Sequence, residues 1–204
     1  MKLYYAPGVC SRAVHIALRE SGLDHELERV DLQTKTTETG ADYRRVNPLG
    51  YVPALELDGG EVLLEAPAVL QYVADLRPET GLAPAAGTLE RVRLQAQLNF
   101  TAAELQKSFG PFFAPVKPEG ALREQALARL RSRFDTLEAL LADGRPHVLG
   151  AAFTVADAYT FVVASWAPSI DLDLAAWPHV QAYVARIAAR PKVQEVLARE
   201  ARAA

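Results

Sequence analysis

The sequence predicts an α/β domain joined to an all-helical one. Three observations carry that prediction: residues 1–80 alternate between strand and helix patterns, residues 81–87 read as a linker, and residues 88–204 hold helical patterns only. Leu3–Ala6 is a short buried strand, closed by the Pro7-Gly8 turn signal. Val14, Ala17 and Leu18 then recur at helical spacing and predict a helix over Ser11–Ser21. Glu26–Val30 forms a second strand. Thr34–Tyr43 is polar and loop-like, with a short helix ending at Arg45-Val46. Ala54–Leu57 and Glu61–Leu64 flank Asp58-Gly59-Gly60, which is a hairpin signal, and Ala68–Leu76 gives a helix. These runs supply four strands for a mixed sheet covered by helices. Pro78, Gly81, Pro84 and Gly87 punctuate the junction. Beyond it, Leu89–Phe109 reads as one long helix and Leu122–Leu141 as an amphipathic one. The nearly all-apolar Val155–Trp166 reads as a buried central helix. Trp177–Ala189 and Val193–Ala203 are two more, split by Arg190-Pro191. Thr154 and Asp157 fit a capping box at the start of the central helix, a structural feature worth about 1 kcal/mol.

Composition excludes several classes of function. Half of the 204 residues are apolar, 23% are charged, and the net charge is −3. No Lys/Arg run invites nucleic acid, and no apolar run approaches the roughly 18 residues of a membrane span. One cysteine rules out an internal disulfide and a multi-thiolate zinc site. The four histidines show no ligand spacing, so no metal is expected. The N-terminus lacks the pattern of a secretion signal, which makes the cytoplasm the expected compartment.

The single cysteine, Cys10, lies where the first strand turns into the first helix. A lone cysteine is commonly a small buried hydrophobe. At a helix start, free N–H groups and the partial positive charge lower a thiol's pKa, and the thiolate is the reactive form. The turn and helix start therefore favour a reactive Cys10. Three further segments can converge on it. Val52-Pro53 leads into a strand. The bond is either a plain trans turn, which the local residues favour, or a cis bond that turns the Val52 backbone towards an extended peptide-like ligand. Glu65-Ala66-Pro67 opens a helix; Glu65 either accepts an amino group there or merely favours the helix dipole, while the free N–H groups suit a carboxylate. Lys35 either neutralises a second carboxylate or is a solvated surface lysine.

These residues sit in a longer pattern: Tyr4-Tyr-x-Pro-Gly-x-Cys-Ser-x-x-x-His-Ile-x-Leu-Arg-Glu20, Asn47-Pro-x-Gly-x-Val-Pro53, Leu64-Glu65, and Val69-x-Gln-Tyr72-x-Ala-Asp75. Leu98-Asn-Phe100, Phe153-Thr-Val-Ala-Asp-Ala-Tyr159, Trp166-Ala-Pro168 and Arg190-Pro191 continue it. In this order and spacing the chain resembles the cytosolic glutathione S-transferases, most closely the bacterial beta class. The resemblance implies a thioredoxin-like domain and a helical domain that borders the electrophile site. It also implies a homodimer, a cis Pro53, and glutathione as co-substrate with small apolar electrophiles. Position by position, it places Cys10 near the glutathione sulfur, Val52 on the cysteinyl backbone, Lys35 on a carboxylate, and Glu65 with the Ala66 N–H on the γ-glutamyl head. Asn99 and Glu104 match positions that reach into the partner's cleft, and Gln106-Lys107 stands where close relatives carry His-Lys. Tyr5 lies near the position of the catalytic tyrosine of other classes, and otherwise reads as core and cleft wall. Phe109, Phe112 and Phe113 read as either the wall of the electrophile pocket or core.

Two departures stand out. Ala66 replaces a serine common among relatives, and Gln106 cannot titrate near neutrality. Both modestly favour a non-catalytic binding protein, whereas Cys10, Lys35, Val52-Pro53 and Glu65 oppose it. The Cys-Ser pair is also similar to the start of the maleylacetoacetate isomerase motif, but the Tyr-Tyr-x-Pro-Gly context is not. The expected activity is glutathione conjugation, with thiol–disulfide chemistry through Cys10. A glutathione-dependent isomerase or dehalogenase is the enzymatic alternative.

Overall fold

The structure, a computed structural model, describes residues 1–203. Its N-terminal half is a sheet of order β3-β2-β1-β4-β5, formed by β1 (Lys2–Tyr5), β2 (Glu26–Asp31), β3 (Thr36–Thr37), β4 (Ala54–Glu56) and β5 (Val62–Leu64). β1 and β2 are parallel; the other pairings are antiparallel. The sheet thus has five strands instead of four. The extra one is a two-residue edge, Thr36–Thr37, inside the stretch that reads as a polar loop. Such a segment is too short to show an alternating pattern. Alternation is clear in β1. Leu3 and Tyr5 join the large core beneath α1 (Ser11–Ser21) and α2 (Ala66–Asp75), while Tyr4 packs on the other face with Val30, Tyr43, Val52 and Ala54.

The C-terminal half holds α3 (Leu89–Asn99), α4 (Lys107–Phe113), α5 (Gly120–Leu141), α6 (Val155–Ala164), α7 (Pro178–Ala188) and α8 (Pro191–Ala201). The long helix expected over Leu89–Phe109 is interrupted: Phe100–Gln106 is π-helical. A π turn adds a residue to the α repeat and rotates the faces presented after it. No Gly or Pro within the segment marks the change. α6 is buried along its whole length and starts at the Thr154–Asp157 capping box. The Asp157 carboxylate accepts from the Thr154 N–H (2.8 Å), the Thr154 hydroxyl (3.0 Å) and the Val148 N–H (2.8 Å). One hydrophobic core runs through α1, α2 and α6, so the halves share an interior. The junction is tied into it: Leu82 is buried and its carbonyl accepts from the Val155 N–H at 2.9 Å.

Candidate active site

The site is assembled around the turn that carries Cys10. Ser11 closes this turn, its hydroxyl bonding both the N–H and the carbonyl of Ala6 at 3.1 Å. Cys10 occupies the N-cap of α1, and its Sγ donates to the Val52 carbonyl at 3.0 Å. The Val52-Pro53 bond is cis. The loop before it is firmly held, because the Tyr51 carbonyl accepts from Asn47 Nδ2 (2.7 Å) and from the Tyr43 hydroxyl (2.8 Å). Lys35 is half-buried across the same loop. Its Nζ donates to the Gly50 carbonyl at 3.0 Å, and its side chain lies so close that a Cβ on Gly50 would stand 2.9 Å from Lys35 Cδ. It is therefore not a free surface lysine.

Glu65 has φ 68° and ψ 112° at the N-cap of α2. A non-glycine residue in this region stores roughly 1–3 kcal/mol of strain, a feature that gathers at functional sites. Its charge acts on Cys10 and on Tyr159, which places the three in one neighbourhood. From the helical half, Gln106 faces Cys10, and its Oε1 accepts a hydrogen bond from the Tyr159 hydroxyl.

The thiol's acidity differs from the helix-start expectation. Cys10 is only partly covered as a residue, yet its sulfur is packed among protein atoms, and burial pushes its pKa up to about 11. The N–H groups of Cys10 and Ser11 pull it down, as expected for a helix start, but desolvation outweighs them and Glu65 adds to the rise. Free Cys10 is therefore a neutral thiol at pH 7.

Other expected residues are dispersed. Tyr5 is buried in the core with its ring against His15, and its charged neighbours are Glu38, Glu200, Arg199 and Arg29. Phe109 is wholly buried between Phe134 and Trp166, and Phe112 is buried under the Arg123 guanidinium; both lie on the inward face of α4 and belong to the core. Phe113 is 53% exposed and meets Trp166 edge-on at 5.6 Å. Asn99 and Lys107 are exposed, and Glu104 pairs with Arg133 of α5 at 2.7 Å. Among the described residues no group of three or more His, Cys, Asp or Glu could hold a metal, and no helix is long and apolar enough to cross a membrane.

Residues 8–76 match the glutathione S-transferase N-terminal domain, and residues 100–191 match the C-terminal domain. Glutathione S-transferase GstA of Escherichia coli O157:H7 is 43% identical over 200 residues, 98% of each chain. The chain belongs to the glutathione S-transferase family. Among solved glutathione S-transferases, a sphingomonad enzyme complexed with glutathione is 46% identical with a TM-score of 0.94, over 98% of this chain and 99% of that one. A bacterial beta-class member from Sphingomonas chungbukensis is 44% identical, also with a TM-score of 0.94, over 98% of each chain. The thioredoxin-like and helical halves are thus those of a glutathione S-transferase, and the chain is an enzyme of that family.

Tyr159, Trp166 and Glu200 were not singled out as site residues by sequence reasoning. Tyr159 and Trp166 were visible only as members of family-like strings. Glu200, near the end of α8, carries no local mark at all; its role appears in the fold alone.

Proposed function

We propose that this chain binds reduced glutathione beside Cys10 and joins the glutathione sulfur to a carbon of small apolar electrophiles. The observation that carries this reading is the Cys10 thiol held at 3.0 Å on the Val52 carbonyl, at the meeting point of a strained Glu65 and a half-buried Gln106 bonded to the buried Tyr159. The Val52 backbone suits the cysteinyl unit of an extended peptide, and the Ala66 N–H with Glu65 suits an α-amino acid head. Lys35 suits a carboxylate near the Gly50–Val52 loop. In conjugation, a glutathione thiolate forms a bond to carbon, the carbon–halide bond breaks, halide departs, and the thiol proton passes to solvent. A neutral Cys10 serves this step by turning its S–H from Val52 to the glutathione sulfur, as two adjacent thiolates would repel. Phe113 and Trp166 present the apolar surface for the electrophile. Asn99 and Glu104 fit a second copy's cleft in a homodimer.

A slower redox branch uses the same sulfur. Cys10, as thiolate, attacks a glutathione-containing disulfide; the S–S bond breaks, a mixed disulfide forms and the displaced thiolate leaves. A second glutathione then releases Cys10 as glutathione disulfide forms. A thiol pKa of about 11 keeps this branch minor at neutral pH.

Purified protein should be retained on immobilised glutathione and should conjugate an aromatic halide. Cys10→Ala should abolish disulfide reduction and slow conjugation roughly tenfold, the scale of one lost hydrogen bond to a charged group. Wild-type rates for both reactions in Cys10→Ala would overturn the role given to this thiol.

A further inference from the structure

Gly8, two positions before Cys10, is gripped at both ends by the helical half. Its N–H donates to Glu200 Oε2 at 3.0 Å, and its carbonyl accepts from Trp166 Nε1 at 2.8 Å. Gly8 has φ +77°, a turn conformation without a steric cost for glycine. Two contacts from residues more than 150 positions away thus hold the peptide groups on both sides of a single turn residue.

Glu200 is committed wholly to this region. Its side chain is 0% exposed; Oε2 also accepts from Arg12 Nε at 2.8 Å, and Oε1 faces His15 Nδ1 at 3.1 Å. Burial alone would raise its pKa, but His15, Arg12 and the Gly8 N–H outweigh that and hold the carboxyl below its usual range. A buried ion pair is a weak source of net stability, since apolar residues of similar volume often serve as well. The same face of α8 already docks by Val193 and Val196. A buried carboxylate that reaches past the docking face to a turn N–H therefore points to geometry.

We propose that Glu200 and Trp166 are positioning residues: together they clamp Gly8 and so set where the Cys10 sulfur stands against Val52. The last turn of α8 then belongs to the active-site machinery of the enzyme. The proposal rests on the reading of Cys10 as the group beside the glutathione sulfur. A shift of the turn by a fraction of an ångström would move the thiol and the peptide-binding edge together, and misplacements of about 1 Å cost up to about a hundredfold in rate.

The test uses the full chain carrying Glu200→Gln or Trp166→Phe, at a temperature where circular dichroism shows each variant folded. The first readout is the rate of Cys10 alkylation by iodoacetamide without glutathione. The second is the split between KM for glutathione and kcat. Each variant should change the alkylation rate about fivefold and raise KM for glutathione by a similar factor, the scale of one hydrogen bond. A lowered Tm with both readouts at wild-type values would make Glu200 a docking residue only and overturn the clamp. Should Glu200→Gln fail to fold, Trp166→Phe decides alone, because it keeps a ring against Phe109 and Phe113. Should wild-type protein fail to bind glutathione, the functional reading falls, and alkylation still reports on the clamp.

Discussion

The two halves of the molecule build the site by different means. The N-terminal half offers turns: Cys10 at an N-cap, Val52 before a cis proline, Glu65 strained at the start of α2, and Lys35 with φ 61° in a loop. The C-terminal half offers side chains that reach inward from helices: Gln106 from the π segment, Tyr159 from α6, Glu200 from α8, and Trp166 just beyond α6. Turns fix backbone N–H and carbonyl groups, which suit a peptide ligand. Helices fix side chains, which tune and place what the turns present.

The sharpest test of this division is Asp157→Ala. Asp157 is wholly buried and satisfies the Thr154 N–H, the Thr154 hydroxyl and the Val148 N–H. Truncation strands these groups at roughly 1–3 kcal/mol each, so denaturant unfolding should show a loss of about 4 kcal/mol. If the contributions are separable, Cys10 alkylation in the folded fraction stays at the wild-type rate. A parallel loss of thiol reactivity would mean that the start of α6 also sets the site, and the comparison would fail.

The second test concerns the turn itself. Burial outweighs the N–H groups of the α1 start and holds Cys10 at a pKa of about 11. The protonated thiol is neutral, so the reactive fraction grows as pH rises towards that value. Alkylation of free Cys10 should therefore climb about tenfold per pH unit from neutrality to beyond pH 9. A plateau below pH 8 would show the helix start to be the stronger influence, as the sequence alone suggested.

The same contrast explains what the sequence disclosed. Pro7-Gly8, Asp58-Gly59-Gly60 and the Thr154–Asp157 box are local chemistry, and the elements around them form as read. Cys10 at a helix start was legible for that reason, whereas the cis Val52-Pro53 bond was expected only from the family resemblance, because the local residues favour trans. Residues whose role depends on where an element leaves the core were not legible. Phe109 and Phe113 lie four apart on one face of α4 and stack at 6.0 Å, yet Phe109 is wholly buried and Phe113, the last residue of the helix, is 53% exposed. The π segment before them has no residue signature, and the balance between dipole and burial at Cys10 depends on side chains distant in sequence.

Tyr159→Phe, the smallest expected effect, probes a helix side chain that acts only through another. Tyr159 is almost fully buried; burial, then the nearby Cys10 and Glu65, raise its pKa, so its hydroxyl stays a donor throughout the working pH range. It donates to Gln106 Oε1 and so leaves the amide N–H groups of Gln106 to face the thiol. Without the hydroxyl the carboxamide is free to turn over, and KM for glutathione should rise about threefold, within the range of one neutral hydrogen bond. A double-mutant cycle isolates this route. In a Gln106→Ala background the second change, Tyr159→Phe, should have no further effect on KM, because the group it orients is gone. Additive losses would instead mean that Tyr159 meets the ligand directly, and the helical half would then share the contact role assigned to the turns.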